Sequence, residues 1–136
     1  YAQLFDGVHR YAINPFIAGR DISQIRAWSR DRYPRDVSEA EQYGKVSTVT
    51  VTPGFDNTSI TSPGLRIERR DGELYRALLE EAVAARPDWI LITSWNEWHE
   101  GSEIEPSLEY GDMYLDITAE FAALFKSGMT VPGHAK

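Results

Sequence analysis

Trp89-Ile90-Leu91-Ile92-Thr93-Ser94-Trp95 is the stretch that decides the fold. It is a continuous apolar run, bounded by Pro87 upstream and by polar residues downstream. Such a run reads as a β-strand covered on both faces, the signature of a parallel sheet. The segment before it is amphipathic. Leu74, Leu78, Val83 and several Ala residues form one apolar stripe over Gly72–Ala85. That predicts a helix capped by Asp71 and stopped by Pro87. Further upstream, Val46-Ser47-Thr48-Val49-Thr50-Val51-Thr52 is β-branched and alternating, a clear strand signal. Pro53-Gly54 stops it, and a loop rich in Asn, Thr, Ser, Pro and Gly follows.

Working outward, the same rhythm recurs. Leu4–Ile13 is a short apolar and aromatic run broken by Asn14-Pro15. Asp21 is placed to cap a helix over Ile22–Tyr33, with Pro34 expected to end it. Ser38-Glu39-Ala40-Glu41 adds a short helical turn closed by Gly44. Downstream, Asp112–Lys126 predicts a last helix that buries Tyr114, Leu115, Ile117, Phe121, Leu124 and Phe125. Gly128 terminates it, and residues 127–136 read as a loose tail. Strand and helix alternate three times, which argues for parallel strands with right-handed crossovers. A doubly wound sheet and a (β/α)8 barrel both fit. In either, ligands bind at the carboxyl ends of strands, so the loops after Tyr11, Thr52 and Trp95 carry the function.

Composition narrows the function. The chain has 136 residues and a formal net charge of -7. Acids and bases balance over residues 1–86, whereas residues 87–125 hold nine acids and no Lys or Arg. An acidic chain without a basic patch is a poor partner for nucleic acid or an anionic membrane surface. No apolar run reaches the ~18 residues that a bilayer span needs. There is no Cys, hence no disulfide framework and no thiolate chemistry. The start at Tyr1 without Met points to a segment of a longer protein. Secretion or a cell-envelope location follows only if a signal peptide precedes it.

The chemistry concentrates in Trp95-Asn96-Glu97-Trp98-His99-Glu100-Gly101, directly after the buried strand. If the chain turns tightly, Glu97 and Glu100 come within roughly 5–6 Å, the separation of i,i+3 neighbours. Gly101 helps by permitting positive φ. Two carboxyls so close cannot both ionise easily, and indole walls lower the local polarity, so a proton donor stands beside an acceptor. Glycoside hydrolysis uses such a pair. No sequence-local cation would hold both carboxylates ionised. The alternative is a solvated loop with core-packing Trp residues. Glu103 and Glu105 read as a solvated acidic rim, with binding of a cation or a sugar hydroxyl as the alternative, and Arg66, Arg69 and Arg70 read as solvated charges. His9 fits either a core or a catalytic histidine, and Tyr11 lies on its strand face, so both could enter one pocket. Asp56 and Asn57 suit a turn, and Asn57-Thr58-Ser59 matches a short glycosylation pattern. No metal-ligand spacing or phosphate-cradling Gly-rich loop is present.

Ile92-Thr93-Ser94-Trp95-Asn96-Glu97-Trp98-His99-Glu100-Gly101-Ser102-Glu103-Ile104-Glu105-Pro106 closely resembles the hallmark segment of glycoside hydrolase family 99, the endo-α-1,2-mannosidases and mannanases. Phe5-Asp6-Gly7, Thr52-Pro53-Gly54-Phe55, Asn57-Thr58-Ser59-Ile60 and Arg69-Arg70-Asp71-Gly72-Glu73-Leu74-Tyr75 follow in the family's order. The resemblance implies that residues 1–136 are the C-terminal three βα units of a single (β/α)8 TIM-type barrel, about three-eighths of a domain of typically about 250 residues. It also implies an endo-acting, retaining glycosidase without cofactor or metal, acting on an oligosaccharide or polysaccharide. Glu97 and Glu100 would be catalytic, working through a 1,2-anhydro sugar. Glu97 would take the proton of the 2-hydroxyl, and Glu100 would protonate the leaving oxygen and later activate water. Trp95, Asn96, Trp98, His99, Tyr11, Phe55 and Asn57 would contact the sugars. The chain departs from the mannosidases at Thr61-Ser62-Pro63-Gly64, where they carry Arg-Pro-Trp-Asn. It is also similar to the WbsX-type proteins of polysaccharide biosynthesis, which usually have Gly in place of His99; the alternatives to a hydrolase are such a glycosyltransferase-type protein on the same scaffold or a non-catalytic carbohydrate-binding protein.

Overall fold

Thr48, Val49, Thr50 and Val51 (β1) pair in parallel register with Trp89, Ile90, Leu91 and Ile92 (β4) in a computed structural model that describes residues 4–129. Two parallel neighbours need a long crossover. Here it contains a short antiparallel pair, Phe55–Asp56 (β2) with Arg66–Ile67 (β3), then a 3-10 turn at Arg70–Gly72 and a helix at Glu73–Ala85 (α3). The segment after Thr52 is therefore a hairpin and not a plain loop. A short helix at Asn14–Ile17 (α1) and a long one at Ile22–Gln42 (α2) precede β1, and Met113–Ser127 (α4) ends the described chain. Residues 130–136 of the expected tail lie outside the described residues; Ser127 itself belongs to α4.

The segment Leu4–Ile13 is not a strand. It runs beside β1 and makes one parallel bridge, Gly7 to Val46, with the Val46 amide donating to Asp6 O at 2.8 Å. Beyond that bridge, threonine hydroxyls replace the amides of a ladder. Thr48 Oγ1 donates to Val8 O at 3.1 Å, Thr50 Oγ1 to Arg10 O, and Thr93 Oγ1 to Tyr11 O at 2.5 Å. The carbonyls of Val8, Arg10 and Tyr11 are thus satisfied without sheet pairing.

α2 starts as expected. Asp21 Oδ1 accepts from Gln24 N at 2.9 Å, and Gln24 Oε1 accepts from Asp21 N at 3.1 Å, a capping box. It does not stop at Pro34. Proline supplies a helical φ, but it removes one donor and crowds the carbonyl four residues back. Tertiary anchors on both sides carry the helix through: Tyr33 and Val37 are buried, and Tyr33 Oη donates to Thr50 O at 2.8 Å. The predicted turn at Ser38–Glu41 is the last part of the same helix. α2 lies along α3, joined by Arg26–Glu80 and by a two-pronged Arg30–Glu81 pair at 3.1 and 2.7 Å.

α3 is the buried helix of the fold. Leu74, Tyr75, Ala77, Leu78 and Ala82 are fully enclosed. Asp71 does not cap it: Asp71 is exposed with φ +50, and Gly72 holds the cap position with no side-chain hydrogen bond. A Cβ on Gly72 would stand 2.8 Å from Ile117 Cδ1, so glycine admits α4 against the start of α3. β4 is not covered on both faces. Among the described residues its ladder partner is β1 alone, and Trp89 is 59% exposed.

Candidate active site

β4 ends at Ile92, the Thr93–Ser94 peptide is cis, and the chain enters a pinned loop. Ser94 is the pin. Its amide donates to Ser102 O at 2.8 Å, its carbonyl accepts from Ile104 N at 3.0 Å, and its Oγ meets Ser102 Oγ at 3.0 Å and accepts from Glu97 N at 2.9 Å. Ser94, Ser102, Glu103 and Ile104 are buried, so the loop's base is part of the interior. Above it, Trp98–Glu100 forms one 3-10 turn. Glu100 N donates to Glu97 O at 3.1 Å, and Gly101 closes the turn at φ +55. The tight turn expected from sequence is therefore present, and it sets Glu97 and Glu100 three residues apart on one short helical turn.

Trp95, Asn96, Glu97, Trp98 and His99 are exposed, and Glu100 is half-buried. The indoles of Trp95 and Trp98 are about half exposed and do not form a closed wall. Trp98 is held in place, since its Nε1 donates to Glu105 Oε2 at 2.8 Å. Tyr11 lies within electrostatic reach of the pair. Desolvation first, then the charges of Glu97 and of Glu100, raise its phenol above the usual range. The structure separates His9 from Tyr11. His9 lines a cavity of about 590 Å³ between the N-terminal segment, α2 and β1, and Tyr11 is not among that cavity's walls.

Phe55 is buried on β2, where it lines a groove whose other side includes Trp98, Gly101 and Tyr110. Asn57 acts within its own loop: its amide donates to Leu65 O at 3.2 Å and its Oδ1 accepts from Leu65 N at 2.7 Å. Asp56 makes the expected turn, accepting from Thr58 Oγ1 at 2.6 Å and Thr58 N at 3.0 Å, and these bonds lower its pKa. The departing segment Thr61–Gly64 is the exposed tip of the hairpin loop.

Two charges differ from expectation. Glu103 is 6% exposed and Arg69 is 8% exposed, and they pair at 2.7 Å. Neither is solvated. Arg69 also donates to Glu103 O at 2.9 Å and Gly101 O at 3.0 Å. Its guanidinium lies 4.8 Å from the Tyr110 ring centroid and 4.7 Å from that of Tyr114. No local signal in the sequence pointed here, since Arg69 stands 34 positions before Glu103. Among the described residues no group of three or more His, Asp or Glu gathers as metal ligands, and no helix is long and apolar enough to cross a membrane.

Parallel strands, crossover helices and two carboxyl groups on a strand-end loop are the arrangement of the α/β glycosidases. Residues 2–125 match the model of glycosyl hydrolase family 99, and the chain belongs to that family. It is 32% identical over 127 residues to the glycoprotein endo-alpha-1,2-mannosidase of Rattus norvegicus, a match covering 89% of this chain and 26% of the rat protein. It is 29% identical over 116 residues to the uncharacterised WxcX protein of Xanthomonas campestris pv. campestris, covering 79% of this chain and 16% of that one. The fold is similar to the solved GH99 endo-alpha-mannosidase of Bacteroides thetaiotaomicron, with a TM-score of 0.70 and 27% identity over 91% of this chain and 39% of that chain. The chain therefore spans about a quarter of the length of the curated mannosidase it matches.

Proposed function

We propose that this chain carries the catalytic pair of a retaining, endo-acting glycosidase that cleaves α-mannosidic linkages, and that it forms the C-terminal part of one (β/α)8 domain. The observation that carries this reading is the Glu97–Glu100 turn at the end of β4, with Tyr11 within the field of both carboxyls. Glu97 is the base. It takes the proton of the sugar 2-hydroxyl as that oxygen attacks the anomeric carbon. Glu100 gives its proton to the departing glycosidic oxygen, and a 1,2-anhydro sugar forms. Glu100, now a carboxylate, takes a proton from water. The water oxygen attacks the anomeric carbon, the ring-closing bond to the 2-oxygen breaks, and Glu97 returns its proton there. Two inversions give net retention. Trp95, Trp98, Asn96, His99, Tyr11, Phe55 and Asn57 are the proposed sugar contacts.

Glu97→Gln and Glu100→Gln in the full-length protein test this reading. Each is expected to abolish release of α-linked mannooligosaccharide while sugar binding persists. Undiminished hydrolysis by both would overturn it. A second reading, which rests on the resemblance to the WbsX-type proteins, is a polysaccharide-biosynthesis protein on the same scaffold. A nucleotide-sugar requirement for turnover would select that reading.

A further inference from the structure

Three sequence-distant features meet at one side chain. Arg69 follows β3, at the end of the hairpin. Its stem passes Gly54, where any Cβ would overlap the Arg69 Cγ. Its guanidinium then reaches the loop that bears the carboxylates. Nη2 donates to the carbonyl of Gly101, the residue that closes the Glu97–Glu100 turn, and also meets Glu103 Oε1 at 2.7 Å; Nη1 donates to Glu103 O. Tyr110 and Tyr114, which meet edge to face with centroids 5.3 Å apart, both lie beside the guanidinium. Gly54, Arg69 and Gly101 thus form one contact path from the hairpin to the turn.

We propose that Arg69 is the positioning residue for Glu100: it clamps the C-terminal end of the turn through Gly101 and Glu103, and so sets where the acid meets the leaving oxygen. The inference rests on the proposed roles of Glu97 and Glu100. The geometry distributes that task unequally between the two carboxyls. Glu97 is fixed from the other end of the turn, where its amide donates to Ser94 Oγ. Glu100 immediately precedes Gly101, so the nearest fixed point on its C-terminal side is the Gly101 carbonyl that Arg69 holds. A planar guanidinium can bind two carbonyls and a carboxylate at once, whereas a lysine ammonium is a single point charge on a flexible stem. Burial raises the stake, because disturbing one partner of a buried ion pair leaves the other charge uncompensated.

Leaving-group dependence tests it in the full-length protein. Two substrates are compared: an α-1,2-linked mannooligosaccharide, whose leaving oxygen needs a proton, and the matching α-mannosyl fluoride, whose fluoride does not. A displacement of Glu100 by about 1 Å is expected to cost Arg69→Lys about 100-fold in kcat on the oligosaccharide and less than about 10-fold on the fluoride. KM for both is expected to stay within about threefold of wild type. A merely structural role would lower both substrates by one factor, the fraction of folded enzyme. Equal losses, or no loss, overturn the proposal. If Arg69→Lys does not fold, Tyr110→Leu removes one of the two rings beside the guanidinium and is read by the same ratio. A ratio unchanged from wild type again overturns it. Failure of the underlying reading is separate: there, Glu97→Gln and Glu100→Gln would both hydrolyse the oligosaccharide normally.

Discussion

Gly101 lies against the backbone of Asp56: a Cβ at Gly101 would stand 3.2 Å from the Asp56 amide nitrogen and 3.4 Å from its carbonyl oxygen. The turn that presents Glu97 and Glu100 is therefore seated on the hairpin through a residue with no side chain. Gly101 also adopts φ +55, a conformation that costs other residues about 1–2 kcal/mol. Gly101→Ala is expected to lower stability by about that amount in a urea titration. Activity should fall by more than the folded fraction, since the neighbour that must yield is backbone.

Gly54→Ala should imitate the loss of Arg69. The added methyl displaces the arginine stem without removing its charge. Steady-state kinetics should show mannooligosaccharide hydrolysis falling more steeply than hydrolysis of the fluoride. Equal losses would mean that the arginine stem does not transmit the displacement.

Tyr33→Phe isolates a structural bond away from the candidate site. It removes a buried hydroxyl that donates to Thr50 O at 2.8 Å. The expected loss is about 1 kcal/mol in denaturant midpoint stability, with kcat unchanged. A neutral result would show that Tyr33 carries α2 past Pro34 by ring packing alone.

Two tyrosines should titrate late. Burial pushes Tyr75 up to about 12; burial, followed by the Glu109 hydrogen bond, does the same for Tyr110. A phenol ordinarily ionises near about 10. Both groups have folded values above unfolded ones, so their contribution is complete below about pH 10 and is lost as pH rises through about 12. Asp88 has the opposite sign. Hydrogen bonds from Ser47 N at 2.7 Å and Ser47 Oγ at 2.8 Å lower its pKa, so its contribution is present above the usual carboxylate range and lost as pH falls through its folded value. Tyrosinate absorbance against pH, with Tyr75→Phe and Tyr110→Phe as references, checks the first. Denaturation at graded acid pH with Asp88→Asn checks the second.

Glu105→Ala should free the Trp98 indole, whose Nε1 donates to Glu105 Oε2 at 2.8 Å. If Trp98 stacks on a sugar, KM should rise about fivefold, the equivalent of about 1 kcal/mol, with kcat nearly constant. Trp98→Ala in the same background should then add little. Independent, full effects of the two substitutions would mean that Glu105 does not orient the ring.

The parts legible in the sequence are those with local causes. Asp21 caps α2 because its partner Gln24 is three residues away, and Glu97 and Glu100 share a turn because Gly101 can close it. The strands at Thr48–Val51 and Trp89–Ile92 follow from β-branched and apolar runs. What escaped depends on distance along the chain. Pro34 looks like a stop until Tyr33 and Val37 find their places in the interior. Leu4–Ile13 looks like a strand until threonine hydroxyls of β1 and of Thr93 take its carbonyls. Arg69 and Glu103 look solvated because 34 positions separate them, and no periodicity links a base after a hairpin to an acid after a turn.

The Arg69 contact also bears on how this fold can be re-engineered. The run from Trp95 to Pro106 looks portable, a short loop between two fixed elements. Its countercharge and its seat lie on the preceding unit, at Arg69, Gly54 and the Asp56 backbone. A recipient barrel given the loop alone would hold a buried Glu103 with no cation beside it, and a turn with nothing beneath Gly101. The smallest transferable cassette is therefore the hairpin together with the loop, and breakpoints between residues 54 and 103 should yield inactive chimaeras with any barrel that lacks counterparts of Gly54 and Arg69.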